Sequence, residues 1–339
     1  MKVTMADIAD KLGISKNSVS IALSGKKGIS DALRAKIIET AHQMKYGMLP
    51  AQTKGKYIIT IIPEYLRNDA FFYVEVLSAI EQESHQRGCI AVHHNVTKEA
   101  EETLTMPQYP ADMQIAGLLV IGVLTEDYIS ALCEGFVLPI LSVDIEYHRP
   151  LIGYVGTANI TGGTRAVEYL ISQKHREIGF VGSIYAAQSV YERWCGFRHA
   201  LMQHDLEYRE EYSITGQPSS PQLFDTSEML DPWLDRISKY PTAWFCSGDR
   251  VAVSMINCLT KRGISVPDEI SIMGYDNLVL SEMFYPRLTT MNVDRKRMGQ
   301  LAVRYLLGHY FDDCTNTNIV LKSELIIRDS VKKMAGKNV

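Results

Sequence analysis

The residues best suited to chemistry at the start of this chain are short and polar: Thr4, Ser15, Lys16, Asn17 and Ser20. Lys16 can donate to guanine acceptors, and Asn17 can pair with both exposed groups of an adenine edge. Hydroxyls such as those of Thr4 and Ser15, at helix starts where backbone N–H groups converge, suit phosphate oxygens. A catalytic reading finds less. The sequence has no G-x-S-x-G, no H-E-x-x-H and no G-x-x-x-x-G-K, which removes the commonest signatures of hydrolase, zinc-peptidase and nucleotide-phosphate chemistry. Asp249 and Asp276 could form a glycosidase-type carboxylate pair, but both are better accounted for as cleft residues of a binding fold. No enzyme, cofactor or metal is expected.

Three short helical patterns position the N-terminal polar residues. The first opens with Thr4 as cap and Asp7 at the capping-box position, carries Met5, Ile8, Ala9 and Leu12 on one face, and stops at Gly13. The second opens at Ser15 and carries Val19, Ala22 and Leu23. The third opens at Ser30 and carries Leu33, Ile37, Ile38, Ala41 and Met44 at helical spacing. A helix, a turn of about three residues and a second helix make a helix-turn-helix. Lys16, Asn17 and Ser20 then point away from the apolar face and can enter a major groove. The alternative is a small interaction module.

Charge favours the nucleic-acid reading. Residues 1–56 hold ten Lys and Arg against four Asp and Glu, leaving 25 against 35 in the remainder. Phosphates attract such a head while the acidic body is repelled. The 339 residues exceed one ordinary core, so two or three folded units are expected. No run of eighteen apolar residues occurs, and the first residues lack a secretory pattern. The six cysteines are scattered without C-x-x-C spacing, as in a reduced cytoplasmic protein.

The string Thr4-Met-Ala-Asp-Ile-Ala-Asp-Lys-Leu-Gly-Ile-Ser-Lys-Asn-Ser-Val-Ser20 resembles the head of the lactose repressor (LacI) family. That resemblance implies that Met5, Lys16, Asn17 and Ile21 face base edges. Ile21 stands where many members carry Arg, and is limited to apolar contact such as a thymine methyl; the other reading is a partly buried helix residue. In the family a hinge helix with a wedging Leu follows. Here residues 47–56 are short, and Pro50 is followed by Gly55 within about one helical turn. Leu49 or Met48 would have to act as the wedge.

Beyond residue 57, short strands apolar on both faces alternate with helices. The strands are Tyr57–Ile62, Gly117–Ile121, Ile140–Val143, Ile178–Val181, Ala243–Cys246 and Ile270–Met273, with helices near 73–87, 160–173, 189–203 and 251–262. The alternation predicts parallel, doubly wound α/β sheets. Stretches such as Leu138–Asp144, Gly162–Leu170, Glu192–Phe197 and Val266–Asp276 again resemble the LacI family. This implies a periplasmic-binding-protein-like body of two Rossmann-like subdomains joined by three crossovers. The expected division is a head at 1–46, a linker at 47–56 and a body at 57–339. Its N-subdomain takes about 57–158 and 290–320, its C-subdomain about 159–289 and 321–339.

Ligands of such sheets bind beyond the carboxyl ends of the strands. By position the resemblance implies that Phe72 and Tyr73 wall an effector, that Arg193 and Asp276 bind it, and that Asp249 lines the same cleft. For the aromatics the alternative is helix-start packing; for Arg193 with Asp276 it is an interdomain salt bridge. Ala158 stands where the family usually has Asp, and no aromatic appears at 213–222 where one often stacks on sugars. The expected protein is a cytoplasmic, nucleoid-associated bacterial homodimer. It would bind double-stranded operator DNA, act as a repressor, and respond to a sugar or related metabolite, with no membrane partner. The rival is a solute-binding protein of a transport system, for which residues 1–46 would have no purpose.

Overall fold

The computed structural model describes residues 4–23, 28–30, 33–34, 36–37, 40–41, 44, 56–68, 71–110, 112–136, 138–147, 152–217, 224–308 and 318–334. The expected hinge at 47–55, with Met48 and Leu49, lies outside them, as do parts of the third head helix.

In the head, α1 (Met5–Leu12) begins where sequence chemistry requires. The Thr4 hydroxyl accepts from the Asp7 N–H, and the Asp7 carboxylate accepts from the Thr4 N–H at 2.7 Å, a reciprocal capping box. Gly13 ends the helix at φ 65°, a left-handed conformation that costs glycine little. Ser15 caps α2 (Lys16–Leu23), its hydroxyl accepting from the Ser18 N–H at 3.0 Å. Ile8, Ala9, Val19, Ala22, Ile37 and Ala41 form the buried centre, with Met5, Leu12, Ile14 and Leu33 packed around it. The Arg34 guanidinium donates to the Ala22 carbonyl at 2.9 Å and that of Ile21 at 3.3 Å, placing positive charge at the C-terminal end of α2.

The body has two lobes, one a parallel sheet and the other a mixed sheet with a single antiparallel pair, each flanked by helices. The first contains β1 (Lys56–Pro63), α3 (Tyr73–Gln86), β2 (Cys89–Val96), α4 (Lys98–Glu102), β3 (Ile115–Ile121), α5 (Glu126–Gly135), β4 (Ile140–Val143) and β5 (Ile152–Thr157). The second contains α6 (Asn159–Ser172), β6 (Ile178–Val181), α7 (Gln188–Gln203), α8 (Ser227–Leu234), β7 (Ala243–Cys246), α9 (Asp249–Lys261), β8 (Ser271–Asp276), α10 (Leu280–Met283) and β9 (Thr289–Asn292). The chain then returns with α11 (Arg295–Gly308) and β10 (Asn318–Leu321) to the first lobe, and with β11 (Glu324–Ile326) to the second.

Strand order is β10-β5-β4-β3-β1-β2 in the first sheet and β11-β9-β8-β7-β6 in the second. Every pairing is parallel except β11 against β9. Sheets covered on both faces need strands apolar on both faces. Ile58, Ile59, Ile61, Leu118, Leu119, Phe180, Trp244 and Phe245 are accordingly all buried. The chain passes between the sheets three times, after β5, after β9 and after β10. The carboxyl ends of both sheets meet across the space between the lobes. Among the described residues no helix is long and apolar enough to cross a membrane.

Candidate DNA interface and interlobe cleft

Lys16 and Asn17 lie exposed on the first turn of α2, whose Val19 and Ala22 are buried. Thr4 and Ser15 are exposed caps, while Met5, Ser20 and Ile21 are half-buried. Of the seven head residues singled out from sequence, Thr4, Met5, Ser15, Lys16 and Asn17 border the starts of two adjacent helices, while Ser20 and Ile21 lie further along α2. Their polar members carry donors at the surface, and Met5 and Ile21 present partial apolar faces.

In the body, a polar network runs along the floor of the cleft. Arg193, on the first turns of α7, is only 5% exposed. Its Nε donates to Asn159 Oδ1 at 3.0 Å, its Nη1 to the Ser247 carbonyl at 2.5 Å, and its Nη2 stands 3.0 Å from Asp276 Oδ1. The guanidinium lies 3.9 Å from the centre of the Tyr275 ring. Burial opposes its charge, but Asp276, Tyr275 and Asp144 more than offset this, so its pKa is held above the ordinary arginine value. Arg193 and Asp276 both hang from the second lobe. Their salt bridge lies within one lobe, not between two.

The first lobe contributes Tyr73, whose hydroxyl donates to Asp144 Oδ2 at 2.8 Å. Asp144 follows β4 in a left-handed conformation, φ 72°, and is nearly buried. Desolvation raises its pKa, while the Tyr73 bond and the Arg193 charge act the other way. Phe72 packs edge-on to Tyr73 with ring centres 5.0 Å apart, so it shares in helix-start packing as well as bordering the cleft. Phe71 is more exposed, and the Arg250 guanidinium of the second lobe lies 5.4 Å from its ring centre.

Asp249 sits deeper than its sequence position implies. It is fully buried, accepting from Thr290 Oγ1 at 2.6 Å and from the Leu278 N–H at 2.7 Å. Desolvation, with the Asp276 charge behind it, pushes its carboxyl up to about 8. The bonds hold the chain that follows β8, and β9 itself, which makes Asp249 a support beneath Asp276.

Four cleft residues escaped the sequence reading: Asp144, Asn159, Glu192 and Arg295. Asn159 links Glu192 to Arg193, donating to Glu192 Oε2 at 3.0 Å while accepting from Arg193. The signal for Asp144 was available, since an acid directly after an apolar strand sits at a carboxyl end. For Arg295 there was none, because its partner Glu75 is 220 positions away.

The arrangement defines a class of protein: a helix-turn-helix transcriptional regulator carrying a binding-protein body. A periplasmic binding protein-like domain model matches residues 167–331. The chain is 26% identical over 336 residues to the HTH-type transcriptional repressor PurR of Mannheimia succiniciproducens, covering 98% of this chain and 99% of that one. Its fold is similar to that of the transcriptional regulator CelR in complex with cellobiose, with a TM-score of 0.70 at 22% identity over 97% of this chain and all of that one. It is also similar to the lac repressor dimer bound to operator and the anti-inducer ONPF, with a TM-score of 0.67 at 20% identity over 98% of this chain and all of that one. Along nearly its whole length the chain is thus similar to DNA-binding transcriptional regulators of the LacI type.

Proposed function

We propose that this protein is a repressor whose homodimer binds a pseudo-palindromic operator and whose grip is set by a small molecule between the lobes. In each head, Lys16, Asn17, Ser20, Ile21 and Met5 face base edges, while Thr4, Ser15 and the backbone N–H groups beside them hold phosphates. In the cleft, Phe72 and Tyr73 wall one side of the ligand. Arg193 and Asp276 meet it from the other, supported by Asp249, and fork onto adjacent hydroxyls of a sugar or related metabolite. The observation that carries this reading is the ring of buried and half-buried polar groups at the facing carboxyl ends of two sheets, Tyr73–Asp144 from one lobe and Arg193–Asp276 from the other. A ligand touching both lobes favours one angle between them, and that angle sets the spacing of the heads.

The dimer is placed along the second lobe, where Val279, Met283, Phe284 and Tyr285 form an apolar surface. Met283 is 78% and Tyr285 88% exposed, more than a chain acting alone has reason to show. We further place the protein in the bacterial cytoplasm, at the nucleoid.

The test is a thermal-shift screen of the full chain against monosaccharides, disaccharides, purine bases and nucleosides, followed by operator binding with any stabilising compound. One chemical class should raise the melting temperature and change operator affinity. A class that stabilises without any change in operator affinity would overturn the coupling.

A further inference from the structure

Arg295 opens α11, the helix that carries the chain back into the first lobe and packs along α3. Asp294 caps the helix, its Oδ1 accepting from the Arg297 N–H at 2.8 Å. Arg295 is 7% exposed, and its guanidinium is divided between the lobes. Nε donates to Glu75 Oε2 at 2.7 Å, on the first turn of α3 and three residues past Phe72. Nη1 donates to the carbonyl of Asp276, and to that of Val293 at 3.4 Å; Nη2 donates to the carbonyl of Asn277 at 3.2 Å. The guanidinium carbon lies 5.8 Å from the centre of the Phe72 ring.

The carbonyls of Asp276 and Asn277 belong to consecutive residues with φ 101° and 54°. Non-glycine residues hold such conformations only where their surroundings impose them. The Asp276 carboxylate is the partner of Arg193. Asn277 is tied into the second lobe by Asn292 at 3.0 Å and Arg328 at 2.8 Å. A single guanidinium thus joins the turn carrying Phe72, Tyr73 and Glu75 to the turn that aims Asp276.

We propose that Arg295 is a positioning residue that sets the angle between the lobes before any ligand binds, by fastening the Phe72–Glu75 turn to the Asp276–Asn277 turn. Arginine suits this because its planar fork presents several donors at once, whereas a lysine ammonium would keep Glu75 and at most part of the carbonyl set. Displacing Asp276 or Phe72 moves one anchor of the strut, so a change in the cleft reaches the first lobe directly. The consequence for DNA rests on the proposed function; the strut itself does not.

The experiment uses the full chain with spin labels on genetically encoded residues at Lys98 in the first lobe and Glu228 in the second, both exposed. Labelled protein is diluted into unlabelled protein, so that distances within one chain dominate. The ligand-free wild type should give one narrow distance distribution. Arg295→Met and Glu75→Gln should each broaden or shift it, the double variant should add nothing to Arg295→Met, and Arg295→Lys should fall between. An unchanged distribution in folded Arg295→Met, or additive effects in the double variant, would overturn the strut. Should Arg295→Met fail to fold, Glu75→Gln decides alone, since it leaves α11 intact, and an unchanged distribution there is equally fatal. A parallel titration uses an operator fragment selected in vitro by the full chain. Arg295→Met should change ligand-free affinity at least fivefold. A shifted distance distribution with unchanged affinity supports the strut and counts against the regulatory reading, which keeps the two failures apart.

Discussion

Replacing Arg193 by Met removes the guanidinium while keeping most of the apolar stem volume. The side chain makes two hydrogen bonds, one ion pair and a ring contact, all out of water. Its loss leaves the Asp276 carboxylate, whose side chain is 13% exposed, without its cation, and leaves Asn159 and the Ser247 carbonyl short of a donor. Breaking a buried pair from one side costs about 3–5 kcal/mol. For a cooperative unit of roughly 150–250 residues, about 2–4 °C accompanies each kcal/mol. The expected fall in melting temperature is therefore about 10 °C, read by differential scanning fluorimetry on the full chain. Asp276→Asn retains an acceptor for the guanidinium and should lose less. The double variant should lie close to Arg193→Met alone, because the pair is lost only once. Strictly additive losses, or an Arg193→Met variant within about 1 kcal/mol of wild type, would refute the claim that this network holds the cleft floor together.

Three further outcomes are expected. The folded-state pKa of Asp249 is raised, so the stability it contributes is fully present below its unfolded value and is lost as pH rises toward about 8. Asp249→Asn, whose amide can keep both the Leu278 and Thr290 bonds, should flatten the pH dependence of the urea midpoint between about pH 4 and 8, and an unchanged slope would place the titration elsewhere. Ile21→Arg should change the base preference recovered by in-vitro selection, and an identical preferred site would mean that residue 21 faces away from the bases. Tyr285→Asp should move the sedimentation coefficient from dimer toward monomer; a variant that remains dimeric would shift the interface off this surface.

Much of the architecture was legible because local chemistry and fold agree. The helices near 73–87, 160–173, 189–203 and 251–262 lie within two residues of α3, α6, α7 and α9 at each end. The capping box at Thr4 and the stop at Gly13 stand where turn chemistry puts them. Depth was harder to read. Asp249 follows a strand just as a cleft residue should, yet the side chain dips beneath β8, because two donors there, Thr290 and Leu278, arrive from distant sequence. The pairing of Arg193 with Asp276 stood only as the alternative to effector binding, and as a bridge between lobes; that both hang from one lobe depends on the strand order, which is not written locally. The same is true of Arg295, whose role exists only after α11 has packed on α3.

The most direct test of the central claim is the salt dependence of binding by the full chain to a duplex enriched from random DNA. Each phosphate neutralised contributes about −0.9 to the slope of log affinity against log salt concentration, so even two phosphate contacts per head give a dimer a slope of about −4. The account predicts a slope at least that steep on an enriched, approximately palindromic sequence. A flat response, or selection that enriches no sequence, would contradict it.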